Sequence, residues 1–156
     1  METSTIEKKA TSTESRRAFP GVVFNVLMHD NTTGSNIFVA EVEGLPGSEP
    51  PRHVHTWEDE VVTIKEGNIT YFVGDDIIFA KPGDTVILPK NVPHHFAITS
   101  EKMRVVLVAT SANFGDFFCS ISSPYNGKDI PVPQRPSKEK IKEMIALTQS
   151  FGIYYA

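Results

Sequence analysis

Between Gly47 and Gly67 the chain reads Gly-Ser-Glu-Pro-Pro-Arg-His-Val-His-Thr-Trp-Glu-Asp-Glu-Val-Val-Thr-Ile-Lys-Glu-Gly, and this stretch restricts the fold more than any other. His53 and His55 are two residues apart, so on an extended strand both imidazoles face the same side. Glu60 follows five residues after His55, an odd offset that a straight strand would turn to the opposite side. A reversal through Thr56–Asp59 resolves the conflict, because Glu60 then opens a neighbouring strand and faces back toward the histidines. Two neutral imidazoles and a carboxylate meeting at a point make a divalent transition-metal site with room for exogenous ligands. His94, in its own turn-bounded segment, is positioned to complete the set.

The rest of the chain has the texture of short strands. Its 11 prolines and 10 glycines are spread along 156 residues, long enough for one domain with a real core. From Gly21, the runs Val22–Met28, Asn36–Val42, Glu60–Lys65, Ile69–Val73, Ile77–Ala80, Thr85–Leu88, His94–Thr99 and Met103–Thr110 are β-rich and separated by turn residues. Short strands at near-regular spacing predict an all-β sandwich or barrel. One helix is expected after Ser137, with Ile141, Met144, Ile145, Thr148 and Phe151 on a single stripe lying over the outside of the β body. Ser137 is its cap and Gly152 its left-handed stop. The expected organisation is a loosely ordered arm over residues 1–18, a barrel with a Phe/Pro-rich extension over 19–136, and the helix with its tail over 137–156.

Charge and composition exclude some classes of function. A net charge of −4 argues against a nucleic-acid partner, which calls for a clustered basic face. No apolar run approaches the roughly 20 residues needed to cross a bilayer, and the polar start Met-Glu-Thr-Ser-Thr-Ile-Glu-Lys-Lys is not a secretory signal. A single cysteine, Cys119, has no partner for an internal disulfide and fits a reducing cytoplasm. It is expected to be a buried or half-buried structural thiol.

With both histidine segments in view, the sequence resembles the cupin superfamily of small β-barrels. The first cupin motif is glycine, five residues, His-x-His, three or four residues, Glu, six residues, glycine; Gly47, His53, His55, Glu60 and Gly67 occupy every position. The second is glycine, five residues, Pro-x-Gly, two residues, His, three residues, Asn. Gly83, Pro89 and His94 match it, Asn91 stands in for the glycine and Ile98 for the asparagine. Asn91 is a mild departure, because Asn tolerates a left-handed turn. The resemblance implies a jelly-roll barrel, or double-stranded β-helix, with the C-terminal helix packed outside. It also implies one divalent metal ion (Fe, Mn, Ni, Co, Cu or Zn) on His53, His55, Glu60 and His94. Among single-domain cupins the layout looks most like the quercetin 2,3-dioxygenase-like group, which implies a metal-dependent dioxygenase acting with O2 on an aromatic or enolisable small molecule. In that reading Glu60 is base as well as ligand. The alternatives are a metal-dependent isomerase, lyase or hydrolase, or a non-catalytic binding protein.

Phe96 and Ile98 share the His94 face and are expected beside the metal. Trp57, Phe72, Met103, Phe114, Phe117 and Phe118 are candidates for the pocket wall, as are Tyr71 and Phe79, although core packing is the ordinary fate of each. Glu58 and Asp59 are expected as solvated turn residues, with orientation of a histidine as the alternative. Alternation turns Arg52 and His95 away from the metal, and His29 is expected in an exposed turn. The two apolar faces of Met103–Thr110 point to a homodimer.

Overall fold

The computed structural model describes residues 15–30 and 36–156. Twelve strands and two helices follow in order: β1 (Arg16–Phe19), β2 (Val22–Asp30), β3 (Ile37–Gly44), β4 (His53–His55), β5 (Glu60–Glu66), β6 (Ile69–Val73), β7 (Asp76–Ala80), β8 (Thr85–Leu88), β9 (His94–Ile98), β10 (Met103–Ala109), α1 (Ala112–Ser120), β11 (Ser123–Pro124), α2 (Lys138–Ser150) and β12 (Ile153–Tyr155). They form a seven-stranded sheet in the order β11-β1-β2-β3-β10-β5-β8 and a five-stranded sheet in the order β12-β4-β9-β6-β7. The pairings are antiparallel throughout. The two sheets enclose a common apolar core in a jelly-roll arrangement.

Strand alternation builds that core. β3 alternates half-buried and buried, turning Phe38, Ala40 and Val42 inward, and β10 does the same with Met103, Val105, Leu107 and Ala109. Outward residues remain partly apolar, Val106 and Val108 on β10 among them. Turn chemistry fits the backbone where it must: Gly67 has φ +84 and a Cβ there would stand 2.2 Å from the Lys102 carbonyl oxygen. Asn91 occupies the left-handed region at φ 63, as its substitution for the motif glycine leads one to expect.

Five expectations need correction. β4 and β5 lie in opposite sheets, so Glu60 reaches the histidines across the barrel rather than from a hydrogen-bonded neighbour. The Phe-rich segment is a second helix, α1, capped by Ser111, whose Oγ accepts from the Asn113 N–H at 3.2 Å. The C-terminal helix α2 begins at the Ser137 cap as expected, but only Thr148 of its stripe is buried, and Ile141 and Ile145 stay exposed. Beyond Gly152 (φ +72) the chain turns into β12 and pairs with β4, so the tail is a sheet edge. Most of the expected arm falls outside the described residues, and its last part, from Arg16, is strand β1.

α1 is seated by phenylalanines. Phe118 meets Phe24 at 5.1 Å and Phe38 at 5.6 Å, and Phe114 meets Phe38 at 6.1 Å. Close approach is enforced at Gly115, where a Cβ would lie 2.6 Å from the Phe38 ring. Phe38 is fully buried under this helix. Its truncation, Phe38→Ala, is expected to cost about 3–5 kcal/mol, read from the urea midpoint followed by circular dichroism.

Candidate metal centre

β4 and β9 pair with His53 directly opposite His94, which sets two imidazoles side by side in one sheet. Alternation within β4 turns His55 to the same inner face. From the facing sheet, Glu60 enters at the first position of β5, level with Ala109 and Leu88. One donor atom from each of His53, His55, Glu60 and His94 lies within 4.8 Å of the others, and all four residues are buried. Opposite ligands of one ion at about 2.0–2.2 Å stand about 4.2 Å apart, so the spacing suits a shared cation.

Each ring is fastened through Nδ1. His53 Nδ1 lies 2.8 Å from the Pro51 carbonyl, His94 Nδ1 lies 3.1 Å from the Val92 carbonyl, and His55 Nδ1 bonds Glu58 Oε1. Those partners are acceptors, so Nδ1 carries the proton and donates, leaving the Nε2 lone pair free to face the cluster. Glu60 Oε2 is 3.4 Å from His55 Nε2 and 3.3 Å from His94 Nε2. Neither contact has hydrogen-bond geometry, and Glu60 Oε2 and His94 Nε2 are buried with no hydrogen-bond partner. Buried polar atoms left unpaired are costly. An ion among them would satisfy both, and the imidazole and carboxylate donors fit a divalent transition metal.

Electrostatics follow from this crowding. Burial and the neighbouring His55 lower the His53 pKa to about 4. For Glu60, burial acts to raise the pKa, but His55, His94 and His53 outweigh it and bring the carboxyl down to about 2. Burial acts to lower His55 as well, yet Glu60 and Glu58 prevail and raise it.

Residues 40–110 match the family model described as a cupin domain. The chain carries a cupin domain. It is 30% identical over 121 residues, 77% of its length, to quercetin 2,3-dioxygenase of Bacillus subtilis (strain 168), and spans 36% of that protein. Among solved structures it is similar to KdgF from Halomonas sp., with TM-score 0.51 at 16% identity, covering 58% of this chain and 81% of that one. A cupin-like protein from Thermotoga maritima matches with TM-score 0.51 at 21% identity, covering 69% and 80% respectively. These structural likenesses bear on the fold alone.

The other residues singled out in the cupin sequence fall into two groups. Phe114 reaches the cluster, its ring 5.1 Å from that of His55. Phe96 faces inward with His94 and meets Tyr71 at 5.7 Å. Phe117 and Phe118 sit behind Phe114 in the α1 cluster, and Phe117 also meets Phe151 at 5.7 Å. Ile98 and Met103 are core residues toward the far end of the barrel. Met103 pairs with Gly44, six residues from the Glu60 partner Ala109, or about 20 Å along the strand. Trp57 is 47% exposed and packs on Gly152 rather than on the cluster. Phe72 points outward, because alternation from Ile69 sends Tyr71 in; it stacks on His95 at 4.4 Å. Phe79 is likewise on the outside. His29 is in β2, not a turn, and its Nε2 lies 3.0 Å from Asp116 Oδ1 and 3.0 Å from the Ala112 carbonyl oxygen. Cys119 is half-buried, as expected.

Glu58 overturns the expectation of a solvated turn residue. It is 1% exposed and backs His55, whereas Asp59 accepts from the Lys90 N–H at 2.9 Å. The sequence signal was its placement three residues after His55 within the reversal, where period-two alternation no longer applies.

Two outcomes are expected. Glu58→Ala should weaken divalent-metal affinity about 10- to 100-fold, measured by competition with a chromophoric chelator. In metal-free protein, the unfolded chain takes up a proton at His53 near pH 6.5 and the folded chain only near 4. Stability therefore falls on acidification across that window. Glu60, depressed from 4.5 to about 2, adds a further loss between those values. His55 is raised and acts with the opposite sense above pH 6.5, where its stabilisation is lost as pH rises. The melting temperature should drop between pH 6.5 and 4, and His53→Ala should flatten that part of the profile.

Proposed function

We propose that this cupin is a metal-dependent dioxygenase of quercetinase-like type, acting on an aromatic or enolisable small molecule. The convergence of three Nε2 lone pairs and the unpaired Glu60 Oε2 on one buried point carries the reading. The likeness to the quercetin 2,3-dioxygenase of B. subtilis supports the reaction class. His53, His55, Glu60 and His94 would hold one divalent transition ion, which supplies Lewis acidity and a coordination position for substrate oxygen and for O2.

The chain's own groups divide the remaining work. Glu60 Oε2 accepts the proton of the substrate's enol or phenol hydroxyl, aided by neighbouring imidazoles that keep the carboxylate ionised in the metal-free state. The Nδ1 bonds to Pro51, Val92 and Glu58 hold the three rings so that the reacting centre is met without reorganisation. Phe96 and Phe114 supply the apolar contacts for a flat, poorly hydrated substrate and keep water from the reacting carbon. A homodimer in the cytoplasm belongs to the same reading, supported by the outward Val106 and Val108 of β10 and by the lone cysteine.

The test is elemental analysis of protein purified without chelators, followed by oxygen-electrode assays with flavonols and diketones. One transition metal per chain and substrate-dependent oxygen uptake are expected. His94→Ala should lose the metal and the uptake together, and Glu60→Gln should lower turnover at least about 100-fold. Turnover of these substrates without oxygen consumption would refute the dioxygenase assignment.

A further inference from the structure

On the inward faces of the described strands, one polar side chain is buried besides the metal cluster. Among the described residues, the buried strand side chains are apolar apart from His53, His55, Glu60, His94 and the phenol of Tyr71. Tyr71 is 3% exposed, and alternation in β6 turns it inward between Ile69 and Val73. Register places it: Val73 lies opposite His94 and Tyr71 opposite Phe96, one inward position along from the cluster on the same face. The Phe96 ring at 5.7 Å braces the Tyr71 ring from the adjacent strand.

Its hydroxyl has no hydrogen-bond partner among the described residues. Tyr125 differs in being bonded: its Oη donates to the Asp129 carbonyl at 2.6 Å. A phenylalanine at position 71 would fill the same place beside Phe96, so packing alone does not call for the hydroxyl. Burial and then the charge of Glu60 push the phenol above its ordinary range, so the group is neutral and acts as a donor.

We propose that the Tyr71 hydroxyl is the donor that binds an acceptor oxygen of the substrate beside the metal cluster, and so selects molecules carrying a carbonyl or enol oxygen on a largely apolar skeleton. This rests on the metal-site reading above and adds its specificity-determining contact. The hydrogen bond orients the substrate, with Glu60 receiving the proton from one oxygen and Tyr71 bonding another.

The test compares parent and Tyr71→Phe protein, both full-length and cobalt-loaded, for binding of 3-hydroxyflavone and of kojic acid by fluorescence and absorbance titration. Cobalt affinity and thermal melting are measured alongside. Tyr71→Phe should raise the Kd for either probe about tenfold while leaving cobalt affinity unchanged and the melting temperature unchanged or higher. Equal Kd values in parent and variant would overturn the proposal. So would a lowered melting temperature in Tyr71→Phe, which would reveal a structural partner for the hydroxyl, and so would failure of the parent to bind either probe. Weaker binding by the variant without oxygen uptake by the parent would support Tyr71 as the substrate contact and remove only the dioxygenase reading.

Discussion

Three imidazoles tied down by their Nδ1 atoms, with Nε2 turned toward one carboxylate, are the arrangement on which the rest of this structure depends. Burying four polar side chains opposes folding, and Glu60 Oε2 and His94 Nε2 are left without hydrogen bonds. The surrounding apolar core supplies the compensation, through residues such as Phe24, Phe38, Ile64 and Ile69 that are almost wholly removed from water. A cluster so enclosed does not adapt its donors to a ligand after the fact. Its geometry is set by strands that have already packed, which is the condition for preorganised binding.

Two sheets are needed because no single strand pair can deliver the set. The five-stranded sheet brings the histidines, and the seven-stranded sheet brings Glu60 from the opposite side. β4 is only three residues long and would be a frail support alone. β12 returns from the C-terminal helix to pair with it, placing Ile153 opposite His55 and Tyr155 opposite His53. The segment that reads as a tail therefore covers the edge of the strand carrying two site residues. α1 closes the same end with Phe114 against His55. Phe151 at the end of α2 meets Phe117 of α1, so the two helices are joined behind the site.

Much of this was legible because it repeats with period two or follows from glycine and proline placement. The strands from Val22 to Ala109 emerge within a residue or two of where the alternation and turns put them, and the inward pairing of His53 with His55 follows from the same rule. Legibility failed where the period was interrupted. Glu58 lies in a reversal, where period-two alternation no longer applies and only its spacing of three from His55 points to the buried role. Phe72 suits a pocket wall by its aromatic character, but the phase set by Ile69 turns it outward onto His95. α1 was obscured by its content: Phe114, Phe117 and Phe118 occur at helical spacing after a serine cap, but phenylalanine clusters are equally at home in strands.

The amino-acid order by itself determined which side chains can share a face, where the chain must turn, and that His53, His55, Glu60 and His94 carry compatible donor chemistry. Those properties are local and depend on backbone period and residue type. The tertiary structure decided the rest: that Glu60 approaches from the opposing sheet, that Glu58 is sealed behind His55, that β12 protects β4, and that α2 leaves Ile141 and Ile145 in solvent. Each of these depends on which surfaces meet after the sheets close, and a one-dimensional pattern contains no record of what will stand on the far side of the barrel.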